Sequence, residues 1–164
     1  MVSQQKSKLF EFVLNKKQSF TLKTDTINYS LNLTSSGSLE NKLFYTYLKH
    51  NESVYKKIKS LSDSVKKLDS GSGEAVAPRQ QIKTLNEEGK AFKLKMIDKN
   101  QGTFVATLLT AMREVEIPDS VKNSTDSTAA FYYYKNHFWN YFPLNDDCLL
   151  RTPLFDKRIK EYFN

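Results

Sequence analysis

The stretch VYKKIKSLSDSVKKL, residues 54–68, decides the fold, because its apolar residues recur at spacings of four and three. Those spacings place the apolar side chains on one face of a helix that pairs lengthwise with another helix. The stretch IKTLNEEGKAFKLKM, residues 82–96, has the same periodicity and follows Pro78, near the predicted first turn. Together the two stretches predict an antiparallel helical hairpin joined by a loop at residues 69–73.

The first of these helices is predicted to begin at Ser38, with Leu39 already on its apolar face. Gly89 occupies a position in the second helix where an apolar side chain is expected. Although a helical glycine costs about 1 kcal/mol relative to alanine, it allows the opposing helix to approach closely. We therefore expect a bulky residue, Val54 or Tyr55, to face Gly89.

The N-terminal region alternates in the way that is typical of strands, with apolar runs at residues 9–14, 20–22 and 27–33. Two or three short antiparallel strands are predicted there. Because so small a ribbon buries little apolar surface, it needs a partner surface to be stable. We divide the chain accordingly into a β segment, residues 1–36, and a helical domain, residues 37–164.

The C-terminal part predicts three further helices. A third helix is expected at residues 103–114 and a fourth from about residue 126 to Phe142, which Pro143 follows. The last helix has the clearest start, since Thr152 can act as N-cap and Pro153 suits the first helical position. The predicted fold class is mainly α: an antiparallel helical bundle with a short N-terminal β ribbon.

Composition limits the function classes. The chain has 164 residues, 39% of them hydrophobic, and a net charge of +7. That length suits one domain of ordinary size. The longest apolar run, Ala129–Tyr134, is far shorter than the roughly 20 residues of a membrane-spanning helix. The net charge is +3 in residues 1–34, +5 in 35–100 and −1 in 101–164, so the basic surplus lies in the first hundred residues.

No catalytic constellation is visible in the sequence. His50 and His137 fall on different predicted helices without nearby ligands at metal-site spacing, and no glycine loop matches a nucleotide-binding motif. The single cysteine, Cys148, excludes an internal disulfide and a CxxC motif, and we interpret it as a small apolar filler. Asp146 and Asp147 are interpreted as a turn and a cap. We expect no enzyme activity, no metal and no cofactor.

Two features remain for binding. Lysines off the apolar face of the hairpin form a basic surface that acids interrupt, and it is interpreted as a solvated face rather than a nucleic-acid site. These lysines are Lys56, Lys57, Lys59, Lys66, Lys67, Lys83, Lys90, Lys93 and Lys95.

The second feature is the block 131–142, which holds eight aromatic residues in twelve positions, more than one helical face can bury. A buried stripe through Phe131, Tyr134 and Phe138 is expected, with Tyr133 and His137 toward another face. Some rings must then be partly exposed, so either core packing or docking of a partner or ligand explains the block.

Three stretches resemble a known family: GSLENKLFYTYLK (37–49), FVATLLTAMREVEIP (104–118) and STAAFYYYKNHFWNYFPLNDDCLLRTPLF (127–155). They resemble the helical domain of unknown function found in Gram-negative envelope lipoproteins of the thioredoxin-like, TlpA-type thiol-disulfide oxidoreductase group. The likeness runs from about Phe10 to Phe163.

The resemblance implies a setting for the chain. In such proteins a signal peptide and lipid anchor precede a small β domain, the helical region follows, and a thioredoxin domain comes last. Residues 1–36 then correspond to the end of the β domain. No catalytic residue carries over, because the chemistry of the family resides in a CxxC motif that this chain lacks. The implied location is the periplasm or cell envelope, with membrane attachment only through a lipid anchor outside this chain.

The preferred interpretation is therefore a non-catalytic spacer and docking domain of an envelope lipoprotein. Its expected partner is a thioredoxin-like domain of the same parent chain or another envelope protein, and no nucleic acid is expected. Residues expected to contact a partner or ligand are Tyr133, His137, Trp139 and Arg151, and Arg151 is expected to bond backbone carbonyls or Asp147. One alternative is a glycan- or peptide-binding module that uses exposed aromatics. The other is a basic helical hairpin that binds nucleic acid.

Overall fold

The structure is a computed structural model that describes residues 10–14, 19–25, 27–28, 31–68 and 73–163. It is mainly helical, with a two-stranded antiparallel ribbon near the N-terminus, which confirms the predicted fold class. The chain divides into two compact units, Met1–Lys99 and Asn100–Asn164. The expected boundary between residues 36 and 37 lies inside the first of these units. That the ribbon ends a preceding β domain stays a prediction.

In the first unit, β1 (Thr21–Lys23) pairs antiparallel with β2 (Thr34–Ser36), with Leu22 opposite Ser35. The predicted strand at 20–22 is thus confirmed to within a residue. The strands expected at 9–14 and 27–33 are wrong for the described residues, since none of those residues is in a strand. Leu9, Tyr29 and Ser30 lie outside the described residues.

Local side-chain hydrogen bonds explain why residues 27–33 turn. The Asp25 carboxylate accepts hydrogen bonds from the backbone N–H groups of Ile27 (3.0 Å) and Asn28 (2.9 Å). The side chain of Asn32 donates to the other Asp25 oxygen at 2.6 Å, and Asn28 Oδ1 accepts from Leu31 N at 3.2 Å. These bonds satisfy backbone groups that a strand would pair with a neighbour, so the segment forms a loop despite its alternating pattern.

Helix α1 (Leu39–Val65) begins where the sequence predicts, with Ser38 Oγ accepting from Asn41 N at 3.3 Å. The Asn41 side chain is fully buried and bonds both backbone groups of Val13, accepting from its N–H at 2.7 Å and donating to its carbonyl at 2.8 Å. The Tyr45 hydroxyl donates to the carbonyl of Glu11. The segment 10–14 is therefore held along the start of α1.

Helix α2 (Val76–Lys99) follows a single 3-10 turn at Gly73–Ala75 and packs on α1, so the predicted hairpin is confirmed. The ring of His50 stacks on Phe92 with centroids 3.7 Å apart, and Val54 faces Gly89. As the residue number increases along α1, the number of the residue that it contacts on α2 decreases, so the two helices are antiparallel.

The start of the apolar face of α1 differs from the sequence expectation. Leu39 is 59% exposed, whereas Tyr45 and Tyr47 are buried. The predicted loop residues 69–72 lie outside the described residues, and Gly73 opens the 3-10 turn.

The second unit contains five helices among its described residues. These are α3 (Phe104–Ala111), α4 (Asp119–Lys122), α5 (Ala129–His137), α6 (Asp147–Leu150) and α7 (Pro153–Phe163). Helix α7 starts at Pro153 as predicted, while the hydroxyl of Thr152, the expected N-cap, donates to the carbonyl of Leu149 at 2.6 Å. Helix α6 is capped by Asp146, which accepts from Cys148 N (2.9 Å) and Leu149 N (3.1 Å), so the expected capping role of the acid pair is confirmed.

Two of these helices end earlier than their patterns suggest. Helix α3 ends at Ala111, and its last turn is closed by Arg113 N–H, which bonds the carbonyl of Thr110 three residues back. Helix α5 ends at His137, where tighter turns begin, because Asn140 N–H bonds the carbonyl of His137 rather than one four residues back. Such three-residue bonds mark a chain that leaves the α-helical path.

The core of the second unit lies among α3, α6, α7 and the chain that follows α5. Ala111, Phe142 and Leu149 are the buried members of one core cluster, and Val105, Ala106, Leu109 and Phe138 of this unit are buried as well. The partly buried residues packed against that cluster are Phe104, Leu108, Trp139, Leu150, Leu154 and Phe155.

Two expectations about this core are wrong. Phe131, expected in the buried stripe, is 57% exposed, since it lies in the first turn of α5 and its ring contacts Tyr132 and Lys135 of the same helix. Cys148, expected as an apolar filler, is exposed, and its neighbour Leu149 fills the core instead. No helix in the described part of the chain is long and apolar enough to cross a membrane.

Candidate functional site

Two of the four predicted contact residues lie together on α5. The rings of Tyr133 and His137 stack with centroids 3.9 Å apart and an angle of 17° between their planes. Residues four apart on a helix are neighbours on its surface, which explains the pairing. His137 Nδ1 lies 2.7 Å from the carbonyl oxygen of Tyr133 and donates to it, so Nε2 is the remaining ring nitrogen.

Trp139 belongs to a network of rings rather than to that stacked pair. Its ring lies 5.0 Å from Phe138, 5.7 Å from Phe142 and 5.8 Å from Tyr162, measured between centroids. The angles of 79° and 86° to the two phenylalanines are the edge-to-face arrangement that aromatic pairs favour. Trp139 is partly buried and packs against the core.

Arg151, the fourth predicted contact residue, is exposed at the C-terminal cap of α6. The expectation that it bonds backbone carbonyls or Asp147 is wrong for the described residues, among which its guanidinium makes no hydrogen bond or ion pair. Exposure leaves a long side chain solvated. The structure thus brings Tyr133 and His137 together on α5 and places Arg151 apart from them, at the end of α6.

The carbonyl-binding arginine is instead Arg158 on α7. It is 7% exposed, and its Nη2 donates to the carbonyl of Ala111 at 3.1 Å and to that of Arg113 at 2.5 Å. Its guanidinium also lies over the ring of Phe138, 5.0 Å from the centroid. A buried arginine needs such acceptors, because burying a charge without partners is costly. Sequence reasoning missed this residue because its partners are 45 to 47 positions away.

Exposed aromatic side chains of α5 and α7 form what we call the aromatic patch. Its exposed rings are Phe131 (57%), Tyr132 (60%) and Phe163 (80%). Phe131 meets Tyr132 edge to face at 5.6 Å, and Phe163 meets Tyr162 in the same way at 5.4 Å. The patch therefore comprises two ring pairs, one on each helix.

Lys135 links the two ring pairs of the aromatic patch. Its Nζ lies 5.6 Å from the Phe131 centroid and 4.9 Å from the Tyr162 centroid, within the range of a cation–π contact. The same Nζ donates a hydrogen bond to the carbonyl of Tyr162, one of the last residues of α7. A cation is favourable at a helix C-terminus, where carbonyls lack helical partners. Lys135 thus ties α5 to the end of α7.

The pKa values of one carboxyl group, Asp126, and of two phenols, Tyr45 and Tyr47, are shifted. Hydrogen bonds from the hydroxyl and backbone N–H of Thr128 lower the pKa of Asp126, just before α5. In the first unit, burial raises the pKa of Tyr47, and burial together with the negative charge of Glu11 raises the pKa of Tyr45. These shifts follow from packing and capping, which do not by themselves mark a reaction site.

The basic surface of the hairpin is partly paired with acids of its own helix. Lys56 Nζ lies 3.5 Å from Glu52, and Lys66 Nζ lies 3.6 Å from Asp63. All four side chains are largely exposed, so these pairs are weak and screened. Among the described residues, no group of three or more His, Cys, Asp or Glu is placed to hold a metal ion.

Comparison with known proteins adds no relative. The chain matches no protein-family profile, no curated protein and no solved structure. The resemblance to the TlpA-type lipoprotein domain stays a prediction that depends on the quoted strings.

Proposed function

We propose that the chain is a non-catalytic spacer and docking domain of an envelope thioredoxin-like lipoprotein. The observation that carries the proposal is the aromatic patch, in which three large rings stand more than half exposed. Single exposed apolar residues are ordinary on protein surfaces, but neighbouring ones mark interaction sites. Covering such rings is favourable by roughly 25 cal/mol for each Å² of apolar surface removed from water.

The patch is supported from behind by a packed ring core. Phe138, which is 1% exposed, contacts Tyr134 and Tyr162 at centroid distances of 5.4 and 5.3 Å. The exposed rings of α5 and α7 therefore stand on elements whose inner faces are fixed. Such preorganisation favours docking, because little side-chain entropy is lost when a partner covers the rings.

The expected partner is a thioredoxin-like domain of the same parent chain or another envelope protein. This part of the proposal follows from the resemblance, whose longest string, residues 127–155, supplies α5, α6 and the start of α7. The same resemblance places the protein in the periplasm or cell envelope, with its lipid anchor outside this chain. It also assigns thiol chemistry to the partner domain rather than to Cys148.

Site-specific photo-crosslinking in the cell envelope tests the docking role. A benzoylphenylalanine replaces Tyr132 in the patch, and a matched control replaces Ser120, an exposed residue of α4. We expect an adduct with a thioredoxin-fold chain, identified by mass spectrometry, only from position 132. Equal adducts from both positions, or none from 132, would contradict the proposal.

The non-catalytic role has its own measurement. The purified chain should not reduce insulin disulfides above background with a thiol reductant present. Turnover that disappears in Cys148→Ser would show that the exposed thiol is a catalyst and would remove this part of the proposal.

The glycan- or peptide-binding alternative is favoured by the stacked pair Tyr133 and His137. A stacked ring pair with an available imidazole nitrogen can meet a sugar or a peptide amide. On titration with a glycan array hit, that alternative expects a change in Trp139 fluorescence that is lost in Tyr133→Ala. The nucleic-acid alternative, which uses the lysines of the hairpin, expects oligonucleotide binding that weakens steeply with salt.

A further inference from the structure

A groove runs between α1 and α2 in the first unit, on one side of the hairpin. It has a volume of about 700 Å³ and is lined on α1 by Lys56, Lys57 and Leu61 and on α2 by Thr84 and Leu85, together with neighbouring serine and glutamine side chains. Most of its exposed wall is apolar. The groove is open to solvent along the hairpin, so an elongated partner can enter it from the side.

The apolar side chains of the hairpin around the groove are only partly buried. Val54, Ile58, Leu61 and Val65 on α1 are partly buried, and so are Ile82 and Leu85 on α2. Within the described residues, the last buried position of α1 is Tyr47, and Met96 is the one buried position of α2. Two helices alone cannot cover the apolar residues between them, whereas a third helix laid in the groove completes a bundle.

The charge of the groove selects the kind of helix. Lys56 and Lys57 stand at its edge, and none of the described lining residues is acidic. The pair of Lys56 with Glu52 is exposed and 3.5 Å long, so it competes weakly with an incoming carboxylate. The first hundred residues carry an excess of eight positive charges, which attracts an acidic segment from a distance.

We propose that this groove docks an amphipathic helix with an apolar stripe and acidic flanks. The apolar stripe covers Leu61 and Leu85, and the flanking carboxylates meet Lys56 and Lys57. This is the helix-in-groove mode of recognition, in which apolar anchors recur at helical spacing. The surface differs from the aromatic patch and lies in the other unit, so the inference does not depend on the proposed function.

A second copy of the hairpin is a poorer occupant than an acidic helix. If two hairpins met through the same groove about a two-fold axis, each would present the same lysines to the other. Like charges at close range oppose such an interface. The positive charge at the groove thus favours an acidic helix over a second copy of the hairpin.

Fluorescence anisotropy with a designed peptide tests the groove in the full chain. The probe has about 20 residues, roughly 30 Å as a helix, with leucines along one face and glutamates on both flanks. A peptide of the same composition in scrambled order lacks the apolar stripe. We expect the striped peptide to bind at near-physiological salt and the scrambled peptide to bind at least about tenfold more weakly.

Matched charge reversals locate the binding. Lys56→Glu with Lys57→Glu should weaken binding of the striped peptide by about tenfold or more. The control, Lys59→Glu with Lys66→Glu, changes the net charge equally on the same helix but outside the groove, and it should leave the affinity within about twofold. Circular dichroism should show equal helix content in both variants, so loss of folding cannot explain the difference.

Other outcomes overturn the proposal. Equal losses in the two reversal variants, or equal binding of the two peptides, would mean general charge attraction. A concentration-dependent dimer in light scattering that the groove variant alone changes would assign the groove to a second copy. Tight binding of a DNA oligonucleotide that only the groove variant abolishes would assign it to nucleic acid.

Discussion

The guanidinium of Arg158 lies over the face of Phe138, 5.0 Å from the ring centroid, while its Nη2 donates to the carbonyls of Ala111, the last residue of α3, and Arg113. One side chain of α7 thus fixes both the end of α3 and the ring core behind α5. The carbonyl of Ala111 would otherwise be a buried acceptor without a helical partner.

Replacing this arginine should destabilise the second unit. We expect Arg158→Met to lower the free energy of unfolding by about 2–4 kcal/mol, because the buried carbonyls lose their donor. Arg158→Lys should lower the free energy of unfolding less, since the lysine ammonium can still donate a hydrogen bond to one of these carbonyls. Urea unfolding measures both, with Lys157→Met as the exposed neighbouring control, expected within about 0.5 kcal/mol of wild type. Equal effects of Arg158→Met and Lys157→Met would contradict the buried role.

Truncation of a buried ring of the aromatic block should lower the free energy of unfolding much more than truncation of an exposed one. Phe138→Ala should cost about 3–5 kcal/mol, because it empties a fully buried position. Phe131→Ala should change the free energy of unfolding by no more than about 0.5 kcal/mol, because its ring is largely solvated. Thermal or urea denaturation distinguishes the two variants. A large loss of stability in Phe131→Ala would show that this ring is part of the core.

The buried amide of Asn41 should be required for the segment that precedes β1. Asn41→Ala removes hydrogen bonds to both backbone groups of Val13 and should cost about 2–3 kcal/mol. Asn86→Ala, an exposed position of α2, is the control and should be nearly neutral. Hydrogen exchange at the Val13 amide should accelerate in the first variant alone. An unchanged exchange rate would show that Asn41 does not hold the segment.

Two glycines of the first unit should respond with opposite signs to alanine. A Cβ at Gly89 would lie 4.0 Å from Val54 Cγ1, an ordinary contact, so Gly89→Ala should raise stability by about 0.5–1 kcal/mol. Gly37 has φ +84°, and a Cβ there would approach the Ser19 carbonyl oxygen to 3.0 Å. Gly37→Ala should therefore cost at least about 1–2 kcal/mol. Chemical denaturation of both variants checks the signs, and a stabilising Gly37→Ala would refute the left-handed turn.

Alkaline pH should weaken the first unit through two tyrosines. Burial raises the pKa of Tyr45 and Tyr47 above the ordinary 10.0, so folding favours the neutral phenols. Their contribution is complete below about pH 10 and is lost as the pH rises through the raised folded values. The double variant Tyr45→Phe/Tyr47→Phe should lose less stability between pH 10 and higher pH than the wild type. If the stability of the two proteins fell equally with pH, the raised pKa values of the two tyrosines would be contradicted.

The elements that the sequence predicts well depend on signals close together in the chain. Ser38 marks the start of α1 because a cap and the turn it serves are neighbours, and Pro153 marks the start of α7 because proline suits the first helical position. The facing of Val54 and Gly89 follows from periodicity along two long helices. Such signals require no knowledge of distant partners.

The errors arise where a distant or competing interaction decides. Asp25 bonds its own loop and overrides the alternating pattern at residues 27–33. The helix of the aromatic block stops at His137, and the periodicity alone does not tell that Phe131, in its first turn, is exposed while Phe138 is buried. Arg158 could not be identified in advance because its carbonyl partners, Ala111 and Arg113, are 47 and 45 residues away in the sequence.

The pair of hydrogen bonds between the Asn41 side chain and the backbone of Val13 also bears on where the chain can be truncated. Residues 10–14 look like a dispensable leader to the ribbon, yet they supply the only backbone that the structure shows bonding the Asn41 amide. A truncated chain that starts at β1 would lose both bonds to Val13 and leave the Asn41 side chain with its 3.0 Å bond to Ser38 Oγ, beside a surface that residues 10–14 no longer cover. Truncations meant to isolate the hairpin should therefore retain everything from Phe10 onward.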